Sequence, residues 1–319
     1  MSDREYRPLG ASGLMVSTVG LGCNNFGRAG TATETQEGTT AVIDAAEDLG
    51  VTLLDTADIY GGEGTSETLM GHALKGRRDR FVLATKFGHA DIEMDLPHWG
   101  AKGSRHYIRA AVEASLTRLQ TDRIDLYQLH TPDPITPVEE TIHALDDLVR
   151  EGKILYYGHS NLAGWQIAEA ALVAERLGGG HFVSAQDEYS LLRRRVEDEV
   201  LPAVRRFGLG FLPYFPLYNG LLTGKFTRDE RPADSRIARQ RPHLADEAPW
   251  DVLEAYRAFC DDRGITMLQA TFGWLLAQPS LTSVIAGATR PEQLRQNAEA
   301  AAWHPDAAEE REISRLFAR

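Results

Sequence analysis

The sequence predicts a closed α/β barrel of eight parallel strands, entered through a β-hairpin. Two positive observations carry this. Short apolar runs recur near residues 16–22, 52–57, 81–86, 124–129, 154–158, 182–186, 209–215 and 282–287, and stretches of helical period separate most of them. The alternation fills residues 1–319 with no break in composition, which reads as a single domain. A third observation is negative. In "GLGCNNFG" the spacing of Gly20, Gly22 and Gly27 is wrong for the dinucleotide fingerprint of an open doubly wound sheet, and "GLLTGK" is too short for a P-loop.

Taken in order, "YRPLG" and "LMVSTVGLG" flank the small-residue turn Ala11-Ser12-Gly13, which predicts the hairpin. "SRHYIRAAVEASLTRLQ" places Ile108, Ala111, Val112, Leu116 and Leu119 on one helical stripe. "TPVEETIHALDDLVREGK" reads as a helix with Thr136 as cap, Pro137 at the first helical position and Glu139 completing a capping box. Its apolar stripe is Val138, Ile142, Leu145 and Val149, and Gly152 ends it. Three connections are long: residues 88–103, residues 131–136 and the Arg- and Pro-rich excursion 218–248. Long connections in a compact barrel are usually functional. From about residue 304 a short helix with an Arg-rich end is expected over or beside the barrel.

With 319 residues, 43% of them hydrophobic, the chain can bury a large core. A formal charge of −12 works against nucleic acid and anionic membrane as partners, so an anionic ligand would need a local cationic pocket. Cys23 and Cys260 stand far apart and suggest no disulfide framework. The start "MSDREYRPLG" has no apolar signal region, and no apolar run of membrane-spanning length follows. A soluble, cytoplasmic protein acting on a small molecule is expected.

Catalytic groups of such barrels sit at the C-terminal ends of the strands. Here the second strand ends at Asp55, with Tyr60 close behind; the third ends at Lys86 and the fourth at His130. The fifth ends at Ser160 and Asn161, the sixth carries Gln186, the seventh Tyr214, and the eighth ends at Gly287 and Thr289. Singly, each has an ordinary structural explanation. Together, polar groups at one end of nearly every strand are costly unless a site uses them. A phenol has an ordinary pKa of about 10. An ammonium at about 4 Å favours the phenolate by about 4 kcal/mol at an effective dielectric of 20. Desolvation opposes this, and a net lowering of about one to three units is expected. Asp55 would hold Lys86 charged, Tyr60 would act as general acid, and His130 would orient a carbonyl oxygen. Asp55, Asp58, His130 and Asp133 fit no common metal motif, and no metal is expected.

These residues bring out a resemblance. The chain resembles the aldo-keto reductases over nearly its full length, through "YRPLGASGLMVSTVGLG", "LLDTADIYG", "LATKFG", "IDLYQLH", "GHSNL", "AQDEYSLL", "YFPLYNGLLTGK" and "AGATRPEQLRQN". It looks most like the branch containing bacterial reductases and the voltage-gated potassium channel β subunits. The resemblance implies a (β/α)8 barrel reducing aldehydes or ketones with NADPH, Tyr60 protonating the oxygen. The family's catalytic tetrad maps onto Asp55, Tyr60, Lys86 and His130. Its nicotinamide contacts map onto Ser160, Asn161 and Gln186, and its stacking aromatic onto Tyr214. Its pyrophosphate region corresponds to Phe215, Leu217, Gly220, Leu221 and Lys225, and its adenosine end to Gly287, Thr289, Arg290, Gln293, Gln296 and Asn297. A Thr289/Glu292 capping box with Arg290 beside it makes a natural anion site, so Arg290 is the candidate for a 2′-phosphate.

The sequence also departs from the family. Gln293 stands where many NADPH-preferring members have Arg, which leaves NADH open. His159 replaces a small aliphatic residue, altering packing behind the nicotinamide or adding a titrating group, and Ala286 replaces a proline. Loop position assigns Asn25, Phe26, Tyr60, Trp99 and residues from 218–248 to the substrate pocket. Two other readings compete with the reductase: a non-catalytic, cofactor-binding accessory subunit, and a lyase forming a Schiff base on Lys86. Asp55 argues against the lyase, because a paired carboxylate stabilises the ammonium and a Schiff-base nucleophile needs the free amine.

Overall fold

The computed structural model describes residues 5–94, 101–233 and 235–318. Strands β1 (Tyr6–Pro8) and β2 (Met15–Ser17) pair antiparallel as the expected hairpin. The apolar run 16–22 does not form one strand. It breaks at Thr18, where Ser17 Oγ donates to Val19 O at 2.6 Å and accepts from Thr52 N at 2.9 Å. Beyond the break the chain enters the barrel as β3 (Val19–Gly22).

Seven further strands follow: β4 (Leu53–Asp55), β5 (Val82–Phe87), β6 (Ile124–Leu129), β7 (Ile154–Ser160), β8 (Ser184–Glu188), β9 (Gly210–Tyr214) and β10 (Val284–Gly287). All eight are parallel, in the order β10-β3-β4-β5-β6-β7-β8-β9. The ring closes between β9 and β10 through Phe211 N to Ser280 O and Thr282 N to Phe211 O, both 2.9 Å. The fold is a (β/α)8, or TIM, barrel.

Helices α1 (Gln36–Leu49), α2 (Thr65–Ala73), α3 (Arg105–Leu119), α4 (Val138–Arg150), α5 (Gly164–Leu177) and α6 (Val200–Phe207) each follow one strand from β3 to β8. After β9 come α7 (Arg236–Gln240), α8 (His243–Asp246), α9 (Trp250–Asp262) and α10 (Met267–Leu276), and after β10 come α11 (Pro291–Ala300) and α12 (Ala307–Leu316). On α3 the whole expected stripe is buried, and Ser104 Oγ caps the helix by accepting from Tyr107 N. On α4 the expected capping box does not form. Pro137 is the N-cap rather than the first helical residue, and Thr136 donates its hydroxyl to Asp133 Oδ2 at 2.7 Å. Leu148 takes the buried place expected for Val149, which is 37% exposed. The excursion 218–248 is built around α7 and α8, with a small core of Leu221, Phe226, Ile237 and Ala245. The C-terminal α12 lies beside the barrel, where Trp274 Nε1 donates to Ser314 Oγ at 2.8 Å.

Two cores hold the barrel. Inside the ring, Leu53, Ala84, Leu126, Leu212 and Ile285 converge from five strands, and Leu9 and Val16 of the hairpin cover them from below. Outside, the opposite faces of the strands pack on the helices. The apolar plug fills the N-terminal half of the ring and leaves the C-terminal mouth to polar groups. Register then aligns those groups: Gly22 pairs with Asp55 and with Gly287, Lys86 with Gln128, and Ser160 with Gln186.

Leu126→Ala is therefore expected to cost about 2–5 kcal/mol of unfolding free energy, as a cavity inside a plug that cannot collapse. The same change at Leu172, 57% exposed, is expected to stay within about 0.5 kcal/mol. Urea titration of both variants checks the contrast.

Candidate active site

Asp55 closes β4, and the chain then stays against β5 through Thr56 N to Ala84 O and Asp58 N to Lys86 O. A turn at Gly61 carries it away. At φ 75° a side chain there would be strained, and its Cβ would meet Phe26 O at 2.6 Å. This exit holds Tyr60 over the neighbouring strand. Lys86 is completely buried and donates to Asp55 Oδ2 and to Thr56 O, both at 2.8 Å, while its ammonium sits 5.0 Å from the centre of the Tyr60 ring.

Electrostatics follow from this stack. Burial pulls the Lys86 pKa down, but Asp55 and then Tyr60 outweigh it and hold the ammonium above its usual range. For Tyr60 the balance is the reverse of the sequence-based expectation. Burial raises the phenol above its ordinary value and outweighs the lowering by Lys86, with Asp55 adding to the rise because it offsets much of the ammonium's charge. The phenol therefore stays protonated at neutral pH, which a proton donor requires.

His130 stands at the end of β6, its backbone N–H donating to Phe87 O at 2.8 Å. Its ring meets Tyr60 edge-on at 5.9 Å and His89 edge-on at 4.7 Å. Burial, then Lys86 and His89, push its pKa far below the usual imidazole range, so the ring is neutral. Its Nδ1 has no hydrogen-bond partner among the described residues. The four residues Asp55, Tyr60, Lys86 and His130 are thus brought together at the mouth.

The adjoining wall is one connected chain of hydrogen bonds. Tyr214 Oη donates to Asn161 Oδ1 at 2.8 Å, and Asn161 Nδ2 donates to Ser160 Oγ at 2.9 Å and to His130 O at 3.0 Å. Ser160 Oγ donates to Gln186 O at 2.8 Å, and Gln186 Nε2 reaches Asp55 Oδ1 at 2.9 Å. Asn161 holds this position with a positive φ of 63°. Gln128, not anticipated from sequence, adds a second amide on Asp55 Oδ1 at 3.3 Å. Its signal was present: Gln128 is the polar residue inside the otherwise apolar end of "IDLYQLH", two residues before His130.

These groups open into a cavity of about 1050 Å³ that runs from Tyr60 and His130 past Phe215, Leu217, Gly220 and Lys225 to Gly287, Thr289, Arg290, Gln293, Gln296 and Asn297. Asn25 also faces it. Phe26 does not; it is fully buried in the outer core, because the turn after β3 points it away from the mouth. Leu221 likewise packs in the small core of the excursion. Trp99 lies outside the described residues. The Thr289/Glu292 capping box does not form. Gln293 Oε1 instead accepts from Thr289 N at 2.7 Å and from Thr289 Oγ1 at 3.1 Å, and Arg290 is the N-cap with no side-chain cap.

A dinucleotide fits this cavity. The start of α11 carries no side-chain cap, and Arg290 and Lys225 stand on the same wall as cations for an anion. Gly220, at φ 110°, lets the backbone border the cavity without a side chain, and the buried Asn219 Oδ1 lacks a partner among the described residues. His159 lies elsewhere, completely buried on β7 and edge-on to Phe182 at 5.3 Å. Burial lowers its pKa to about 3, so it contributes packing and not a charge at neutral pH.

Asp58 is a further buried carboxylate, and neither of its oxygens has a hydrogen-bond partner among the described residues. Burial, then Glu67, raise its pKa to about 7 from an ordinary 3.8. An acid bound more tightly to its proton in the folded state stabilises the fold below its unfolded pKa. That contribution is lost as pH rises through the folded value. Asp58→Asn is therefore expected to stabilise the protein at pH 8, by up to a few kcal/mol at 1.36 kcal/mol per unit, and to gain nothing below about pH 4. Urea unfolding across that range checks the sign.

The sequence profile of the Aldo/keto reductase family matches residues 18–316. Among relatives, the "Uncharacterized oxidoreductase YrpG" of Bacillus subtilis (strain 168) is 40% identical over 304 residues, covering 93% of this chain and 90% of that protein. The "Uncharacterized oxidoreductase YqkF" of the same organism is 37% identical over 300 residues, covering 92% and 90%. A "Probable voltage-gated potassium channel subunit beta" of Arabidopsis thaliana is 33% identical over 312 residues, covering 93% and 90%. With the barrel, the gathered residues at its mouth and these matches together, the chain belongs to the aldo/keto reductase family.

Proposed function

We propose that this protein is an oxidoreductase that reduces an aldehyde or ketone with NADPH, with NADH left open as the alternative. The observation that carries this reading is the stack of Asp55, Lys86 and Tyr60, with the ammonium 2.8 Å from the carboxylate and 5.0 Å from the phenol ring, opening on a cavity that fits a dinucleotide. The reduced nicotinamide would supply hydride to the carbonyl carbon. Tyr60 gives its proton to the carbonyl oxygen, and Lys86 stabilises the phenolate left behind. Asp55 keeps Lys86 charged and in place. The neutral His130 ring orients the carbonyl oxygen by donating a hydrogen bond from its N–H. Tyr214, Asn161 and Ser160 form the wall on which a nicotinamide would rest. Phe215, Leu217, Gly220 and Lys225 would border the pyrophosphate, Gly287, Thr289, Gln293, Gln296 and Asn297 the adenosine, and Arg290 the 2′-phosphate.

A second reading has one observation in its favour, the likeness to a protein named a probable potassium channel β subunit. In that reading the chain binds the cofactor and senses its redox state in the service of a partner. Steady-state oxidation of NADPH with 4-nitrobenzaldehyde separates the two, since an accessory subunit would not exceed one turnover.

Tyr60→Phe is expected to lower kcat by about 10²–10⁴ while NADPH binding, followed by fluorescence titration, is retained. Comparable kcat in the variant would remove Tyr60 from the role of acid.

A further inference from the structure

On the outer side of β7, away from the mouth, lies a second cavity of about 330 Å³. Neighbouring residues of a strand face opposite ways. Ser160 faces the hydrogen-bonded wall of the mouth, and His159 turns outward toward α5. Ile167, Ala171 and Ala174 line the cavity along one face of α5. Phe182 and Leu209 border it from the segments that lead into β8 and β9, and Phe207 from the end of α6. Its exposed rim lies where α5 ends, at Glu175, Gly178 and His181. The rim is tied down. Asp146 of α4 accepts from Tyr157 Oη at 2.9 Å and from Gly180 N at 3.1 Å. Phe182 meets Tyr157 edge-on at 5.4 Å and His159 edge-on at 5.3 Å.

We propose that this cavity is a separate ligand site, that it takes a small neutral phenol, and that His159 accepts the hydrogen of the phenol hydroxyl. His159 carries the chemistry. Its ring is wholly buried, and neither nitrogen has a hydrogen-bond partner among the described residues. A neutral imidazole has one nitrogen that accepts and one that donates, and leaving them unmatched away from water is costly. The apolar side chains around the ring have no polar atom to give it. A ligand hydroxyl supplies the missing partner. A phenol, with an ordinary pKa of about 10, is a stronger donor to nitrogen than an alcohol. The rings of Phe182 and Phe207 favour a flat aromatic body, which can pack against them edge-on or offset. The two alanines of α5 leave room beside those rings, and the volume lies at the lower end of the range of about 300–1,000 Å³ for ligand pockets. Glu175 at the rim, in a chain of formal charge −12, works against an anion. Among the described residues no three ligating side chains meet to hold a metal ion. The site is on the opposite face of β7 from the mouth and does not depend on what is reduced there.

The test titrates the protein with p-cresol, toluene and 4-methylbenzoate, with and without NADPH. Binding is followed by calorimetry and by NMR of histidine-ring ¹⁵N, with the His159 signals assigned through His159→Leu. p-Cresol is expected to bind at least about tenfold tighter than the other two and to shift the His159 nitrogens, its Kd changing less than about threefold with NADPH. His159→Leu is expected to bring p-cresol to the affinity of toluene. Ala171→Leu narrows the cavity and keeps the imidazole, and is expected to weaken p-cresol at least about tenfold. It carries the test even where loss of His159 unfolds the chain. His159 signals that ignore p-cresol up to about 10 mM overturn the proposal. So does p-cresol binding that NADPH abolishes, which places the phenol in the first cavity. A preference for p-cresol over toluene that survives His159→Leu, or p-cresol binding untouched by Ala171→Leu, overturns it as well.

Discussion

The structure turns on one buried ion pair. Lys86 is wholly removed from water, and Asp55, at 2.8 Å and 3% exposed, is the charge that makes that tolerable. Removing either partner would strand a charge in the barrel and cost about 3–5 kcal/mol. Such a pair contributes little net stability, since two apolar residues would fill the space as well. Asp55 is itself held by two amides, Gln186 and Gln128, which orient its second oxygen and leave the first to Lys86. The cation is fixed in place and faces the Tyr60 ring.

The barrel supplies the positions. Parallel register pairs Lys86 with Gln128 and Ser160 with Gln186, and sets Asp55 opposite Ala84, two residues before Lys86, above an apolar plug sealed by the hairpin. The hydrogen-bonded chain from Tyr214 through Asn161, Ser160 and Gln186 to Asp55 links the wall to the ion pair. On the other side of the mouth, the α7 segment is tied to the turn after β3 and presents arginines to whatever enters.

Much of this was legible in the sequence, because strand-end positions follow from apolar runs and most of these runs end in a polar residue at the mouth. Asp55, Lys86 and His130 could be placed that way, and α3 by its stripe. What could not be read depended on neighbours distant in sequence. The direction of the Tyr60 shift is set by how completely the barrel desolvates the phenol, which spacing does not reveal. Thr136 and Thr289 look like caps, yet nearby Asp133 and Gln293 compete for their polar atoms. Phe26 reads as a loop residue at the mouth but turns inward to fill the core. Asp58 sits beside the motif residues and gives no sign of its burial, and the arginines of 218–248 gain meaning only when α7 folds back on Gly30.

The central claim is that Tyr60 stands protonated beside a charged Lys86. The most direct measurement is NMR titration of the Tyr60 ring carbon bearing the hydroxyl, with ¹³C-labelled tyrosine, assigned through Tyr60→Phe. The account expects Tyr60 to remain a phenol at neutral pH, to ionise above the ordinary value of about 10, and to move higher still in Lys86→Met. A Tyr60 already ionised near pH 7, or one indifferent to the loss of Lys86, would contradict it.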